Sequence, residues 1–384
     1  MLSGMRVVVA PDSFKECLSA ARVAAAIAAG VLRAVPAADV VCMPMADGGE
    51  GTVDALVNAT RGTFHTTRVS GPLGMQVDAI WGMLGDGDTA VIEMAAASGL
   101  ALVARNERDP RIASTRGTGE LMRAALDRGV SRMILGLGGS ATNDGGAGMA
   151  QALGYSLRDA SGAELSPGGA ALAELETIDA SQVHPRLERC QVHVACDVTN
   201  PLCGPSGSSR VYGPQKGATP EIVEQLDAAL SRYAQIIERH FGLDVARIPG
   251  AGAAGGIGAG LMAFANGRLR SGLELVADAC GLEDAVRGVD LVITGEGCID
   301  AQTVHGKTPV GVARIAKRHR VPVVAVAGAL GDGYQAVYSE GIDAVFSIAT
   351  GPMPLEESIA RAEKLLEFAG ESIAGMAHAL RSNA

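Results

Sequence analysis

Several polar stretches of this chain carry carboxylates, lysines and glycines at spacings that could do chemistry. "PDSFK" places Asp12, Ser13 and Lys15 after an apolar run, where a lysine can meet phosphate and an aspartate can hold a metal ion or a hydroxyl. "MADGGEG" offers Asp47 and Glu50 beside Gly48 and Gly49; N–H groups at a helix start suit an anion, and the two acids suit Mg2+. Taken alone, Asp47 reads more simply as a helix cap. "TGEGCIDAQTVHGKTPVG" carries Glu296, Asp300, Gln302, Thr303 and Lys307. Its Gly306-Lys307-Thr308 invites a Walker phosphate loop, but Ala301 stands where that motif needs its first glycine.

"RMILGLGGSATNDGGAG" poses a sharper choice. Gly136, Gly138 and Ala141 fit the dinucleotide fingerprint, with Asp159 about 20 residues further on as a ribose acid. By that rule the protein is an NAD-dependent dehydrogenase. The stretch "SATNDGGAG" continues polar, however, where a dinucleotide turn runs into an apolar helix. It presents Gly139, Ser140, Thr142, Asn143 and Asp144 as ligand groups instead. "CDVTNPLCGPSG" adds Asp197 and Asn200, and "YGPQKGAT" adds Gln215 and Lys216. "PGAGAAGGIGAG" reads equally as tight helix packing or as phosphate contact. Together these groups form the set that phosphoryl transfer requires: N–H groups and lysines for phosphates, acids for Mg2+, and one carboxylate to take the acceptor's proton.

The elements that must position them alternate. "RVVVA" and "VVCMP" read as strands, with a helix between them in which Val23, Ile27 and Val31 recur four apart behind Ser19. The same rhythm returns with "DLVITG", "VPVVAVAG" and "AVFSIAT", predicting five parallel strands in the order 2-1-3-4-5. Ligands of such a sheet bind at the carboxyl ends of its first and third strands, which here are "APDSFK" and "TGEGCID". The stretch between the two halves is too long for a loop and has its own strands in "TAVIEMA", "RMILGLG" and "QVHVACD". The expectation is a discontinuous α/β domain of residues 1–61 and 289–384 with an α/β domain, 62–288, inserted in it.

Composition narrows the partners. Of 384 residues 48% are apolar and 19% charged, which excludes a disordered chain, and 51 glycines imply many close backbone approaches. A net charge of −10 gives nucleic acid no basic footprint. No apolar run is long enough for a membrane span, and seven scattered cysteines lack zinc spacing. A soluble, cytoplasmic protein with reduced thiols is expected.

The motifs "APDSFKECLSA", "MADGGEGT", "GTGEL", "GLGGSATNDGGAGMAQALG", "DVTNPLCGPSG", "GPQKGAT", "PGAGAAGGIGAGL" and "TGEGCIDAQTVHGKTPVGVA" resemble, in order, those of the class I glycerate kinases, from Val7 to about Gly328. The resemblance implies ATP-dependent phosphorylation of D-glycerate, 2-phosphoglycerate as product, and a flavodoxin-like domain carrying an α/β insert. Cys17 stands where that family usually has serine, and Cys298 where it usually has arginine.

The resulting expectation is a cleft closing over ATP, Mg2+ and a small hydroxy acid. Lys15, Lys216 and Lys307 would balance charge, with Lys15 and Lys307 acting on the chemistry, and Asp144 and Asp300 would hold the metal. Asp12, Ser13, Asp47, Gly48, Gly49, Gly139, Ser140, Asn143, Asn200, Glu296, Gln302 and Thr303 would bind substrate and nucleotide. Elimination leaves Asp197 as the base, against a plain turn cap. The rivals are the dehydrogenase built on Gly136 and a non-catalytic small-acid sensor.

Overall fold

The computed structural model describes residues 4–382. It divides into two compact units, one of Met1–Asp47, Asp54–Arg61 and Leu273–Ala384, the other of Gly48–Val53 and Gly62–Gly272.

The first unit is built on five parallel strands in the order Asp39–Cys42, Arg6–Val9, Leu291–Ile299, Val323–Leu330, Ala344–Ser347. Val7, Val8 and Val9 are wholly buried, as befits a central strand covered on both faces. Val7, Val8 and Val9 pair with Leu291, Val292 and Ile293, so the chain's first strand is registered on one that arrives more than 280 residues later. On one face the helix Ala20–Ala34, capped by Ser19 through the Arg22 N–H, packs on the helix Ala362–Ser382. Backbones meet there. A Cβ at Gly30 would lie 1.9 Å from the Glu367 carbonyl oxygen, and one at Gly370 2.4 Å from that of Ile27. Ile27, Val31 and Leu366 close the core between them, each contributing about 1.5–3 kcal/mol by burial. Ion pairs of Arg33 with Glu367 and Glu371 only border it.

The second unit holds a six-stranded sheet ordered Arg268–Arg270, Gln191–Ala195, Arg132–Gly136, Thr89–Glu93, Gln76–Met83, Thr63–Ser70. The first four run parallel and the last two form an antiparallel hairpin. Trp81, Ile92, Leu121, Leu135, Val194 and Ile257 fill its core, and the Trp81 indole N–H donates to Thr67 Oγ1 at 3.0 Å.

The units part at Gly272 rather than at Gly288. Residues 273–288 belong with the first unit because buried Leu273 seats over Gly311, where even a Cβ would fall 1.5 Å from its Cδ2. No described helix is long and apolar enough to cross a membrane.

Candidate active site

In the first unit the loops that follow the first and third strands, where the sheet order reverses, come together. The Asp12 N–H donates to the Gly295 carbonyl at 2.8 Å, and the Thr294 hydroxyl donates to the Ala10 carbonyl at 2.8 Å, tying the two strand ends. Asp12 is 9% exposed. Its Oδ2 accepts from Thr308 Oγ1 at 2.5 Å, and its Oδ1 from the Ser13 N–H at 2.6 Å. Burial pushes its carboxyl up to about 6, helped by the negative charge of Asp47 and opposed by the bonds from Thr308 and Ser13.

A second carboxylate sits beside it. Glu296 Oε1 accepts from Thr303 Oγ1 at 2.8 Å, while Oε2 lies 3.3 Å from Lys307 Nζ, which also reaches Asp300 Oδ1 at 3.7 Å. Burial, together with the charge on Asp12, raises Glu296 above the usual carboxylate range; Thr303 and Lys307 pull the other way. Asp300 shapes the turn, its Oδ1 accepting the Gln302 N–H at 2.8 Å and its own N–H donating to Thr303 Oγ1 at 3.1 Å. Gly306, at φ +99°, turns the chain so that Lys307 precedes the helix Thr308–Arg318. Asp12, Glu296, Asp300, Thr303 and Lys307 are thus brought together. Lys15, Gln302 and Cys298 are exposed, and Gln302 joins this network only through its backbone N–H.

The second unit bears on three of the stretches singled out in the sequence. Glu93, at the end of its strand, accepts the Val53 N–H at 2.8 Å and is further bonded by the N–H groups of Gly51 and Thr52. The helix start in "MADGGEG" that looked open to an external anion therefore carries the protein's own carboxylate. Glu93 went unread because an acid ending "TAVIE" signals nothing until its strand is placed. Second, a Cβ at Gly136 would lie 2.6 Å from the Gly48 carbonyl oxygen, one at Gly138 3.2 Å from Gly49 Cα, and one at Gly48 2.5 Å from Ala195 Cβ. These glycines let backbones pack. The next helix opens only at Ala147, so the strand–turn–helix of a dinucleotide site is absent here. Third, Asp144, expected to hold the metal, has its carboxylate bonded within the protein. Wholly buried, it accepts from the Thr115 N–H at 2.8 Å, Thr115 Oγ1 at 2.9 Å, and the N–H groups of Gly146 and Gly148 at 3.1 and 3.2 Å. It ties the turn to the helix Arg116–Asp127.

Beside this knot lies Lys216, 1% exposed. Its Nζ donates to Ser140 Oγ and to the Thr142 carbonyl, each at 2.7 Å. Burial lowers the ammonium to about 7, although the Asp144 charge works to keep it protonated. Asn143 Nδ2 donates to Ser209 Oγ at 2.9 Å. Asn200 spends its amide on the Ser206 carbonyl and the Tyr212 hydroxyl, at 2.9 and 2.7 Å, and so is a loop tie. Asp197 is exposed, with Oδ1 accepting the Gly272 N–H at 3.1 Å. The glycine run serves packing: Gly255 and Gly256 take φ +79° and +88°, and a Cβ at Gly255 would lie 1.9 Å from the Thr142 carbonyl oxygen.

Residues 7–378 match the model of the glycerate kinase family. The chain belongs to the glycerate kinase family. It is 53% identical over 354 residues to a protein of Escherichia coli K12 named glycerate 2-kinase, covering 92% of this chain and 93% of that one. It is 52% identical over 370 residues to the glycerate kinase of Bacillus subtilis 168, covering 96% and 97%. A crystal structure titled "putative glycerate kinase 2 from Salmonella typhimurium LT2" superposes with a TM-score of 0.92 at 51% identity, over 99% of this chain and 100% of that one. Within this glycerate kinase, Gly136 and Gly138 are packing residues, and neither the dehydrogenase nor the sensor reading is favoured. Among the described residues no three His, Cys, Asp or Glu side chains gather to cage a metal ion, and all seven cysteines are free thiols.

Proposed function

We propose that this chain transfers the γ-phosphoryl group of ATP to D-glycerate and that the product is 2-phosphoglycerate. The observation carrying this reading is the cluster of Asp12, Glu296, Asp300 and Lys307 where the order of the first unit's sheet reverses, the place such sheets bind ligands. Lys307, held by two carboxylates, carries the positive charge that phosphate oxygens need. The cluster also fits Mg2+: its donors are hard oxygens, and beyond the effect of burial the charge of Asp47 raises Asp12 and that of Asp12 raises Glu296, repulsions a dication would relieve. Asp12 and Glu296 would hold it, and when bound it supplies charge neutralisation between the β- and γ-phosphates.

The acceptor hydroxyl attacks the γ-phosphorus, the bond from that phosphorus to the β,γ-bridging oxygen breaks, and ADP leaves. Asp197 takes the hydroxyl proton. The Gly272 N–H bond orients this carboxylate without burying it. The test is ADP release followed by a coupled assay. It should require Mg2+ and D-glycerate together; ATP hydrolysis equally fast without glycerate would refute the reading.

A further inference from the structure

Ser140 follows the exposed Gly138–Gly139 turn, yet it is itself only 6% exposed, and Lys216 behind it has almost no surface. "YGPQKGAT" fixes the lysine there: Lys216 ends the short turn Pro214–Lys216, and Gly217, at φ +94°, brings the chain so close to Arg108 that a Cβ would meet its carbonyl oxygen at 2.3 Å. The ammonium then has its Ser140 and Thr142 bonds, 2.7 Å each, and can reach no substrate directly. An ammonium only donates, so Ser140 Oγ must accept from it, and the serine's own proton is left to point elsewhere. That proton finds no acceptor among the described residues. We infer that Lys216 is a positioning residue that commits the Ser140 hydroxyl to donating to an anionic substrate oxygen, a carboxylate or a phosphate.

This rests on the glycerate kinase reading and adds a division of labour to it: Ser140 touches the substrate, and the buried lysine acts only through it. Two neighbours extend the polar surroundings, since Asn143 Oδ1 and Thr142 Oγ1 are buried without hydrogen-bond partners. A chain leaves few such atoms in its interior unless something else meets them.

The test compares Ser140→Ala, Lys216→Met and the double variant at pH 6.5, below the value to which burial brings Lys216. Each single change should raise KM for one substrate by roughly 10- to 100-fold, the range for losing a charge-supported hydrogen bond, with kcat within about threefold. The double variant should be no worse than the worse single one, because the two residues form one device. Ser140→Thr, which keeps the hydroxyl, should restore KM. A rise in KM for D-glycerate identifies the oxygen as carboxylate, and a rise for ATP identifies it as phosphate. Should Lys216→Met fail to fold, Lys216→Gln, which retains an N–H for the Thr142 carbonyl, takes its place in the cycle. Single variants with both KM values near wild type, or penalties that multiply in the double variant, would overturn the inference. Wild-type protein without glycerate-dependent ADP release would instead overturn the proposed function, so the two failures are distinguishable.

Discussion

Asp12→Asn should make the ligand-free protein more stable at pH 8 while abolishing most activity. In the folded protein the Asp12 carboxyl is raised from 3.8 to about 6, chiefly by burial. A raised acid binds its proton better folded than unfolded. Its stabilising effect is therefore complete below pH 3.8, fades between 3.8 and about 6, and is gone above that. The two-unit difference corresponds to about 3 kcal/mol of destabilisation above pH 6, as an upper bound. Asparagine avoids it. The amide can still accept the Ser13 N–H, and the Thr308 hydroxyl can turn from donor to acceptor. At roughly 2–4 °C per kcal/mol for a domain of this size, the variant should melt about 6–12 °C higher at pH 8 and converge on wild type near pH 4. Melting curves from pH 4 to 8 in the presence of EDTA read this directly. A variant that melts at or below wild type at pH 8, or a gap that does not change with pH, would refute the claim that a strained, buried carboxylate sits at this strand end.

Three further outcomes follow from the site. Asp197→Asn should lower kcat by about 100-fold or more with melting temperature and KM for ATP unchanged, since asparagine can still accept the Gly272 N–H; normal turnover would make Asp197 a cap only. Lys307→Met should raise KM for ATP by about tenfold or more, by removing the cation paired with Glu296 and Asp300, and an unchanged KM would detach Lys307 from the nucleotide. Cys298→Arg, placed on an exposed stretch of the third strand beside this cluster, should change KM for ATP or glycerate more than it changes melting; no change in either KM would put Cys298 outside the site.

The parts of this protein legible from sequence are those written in local pattern. The valines of "RVVVA" and the fourfold spacing of Val23, Ile27 and Val31 specify buried strand and amphipathic helix without tertiary knowledge. The switch-point loops were legible for the same reason: once strands are located, their carboxyl ends are located too. What stayed hidden was partnership. Nothing in "SATNDGGAG" says that Asp144 accepts four bonds in the interior, because Thr115 arrives from the start of another helix. Glycines are ambiguous in sequence for a related reason. A glycine that lets a ligand approach and one that lets a backbone approach look alike in one dimension, and only the Gly48 carbonyl beside Gly136 separates them. The boundary at Gly272 was equally unreadable, since it depends on where Leu273 finds its pocket.

The central claim is phosphoryl transfer to the C2 hydroxyl of D-glycerate, and proton-coupled phosphorus NMR of the product tests it most directly. A phosphate on C2 couples to one carbon-bound proton and gives a doublet, whereas one on C3 couples to two and gives a triplet. Incubating the protein with ATP, Mg2+ and D-glycerate should produce a doublet growing in step with ADP. A triplet would contradict the assignment of the product, and inorganic phosphate alone would contradict the kinase mechanism itself.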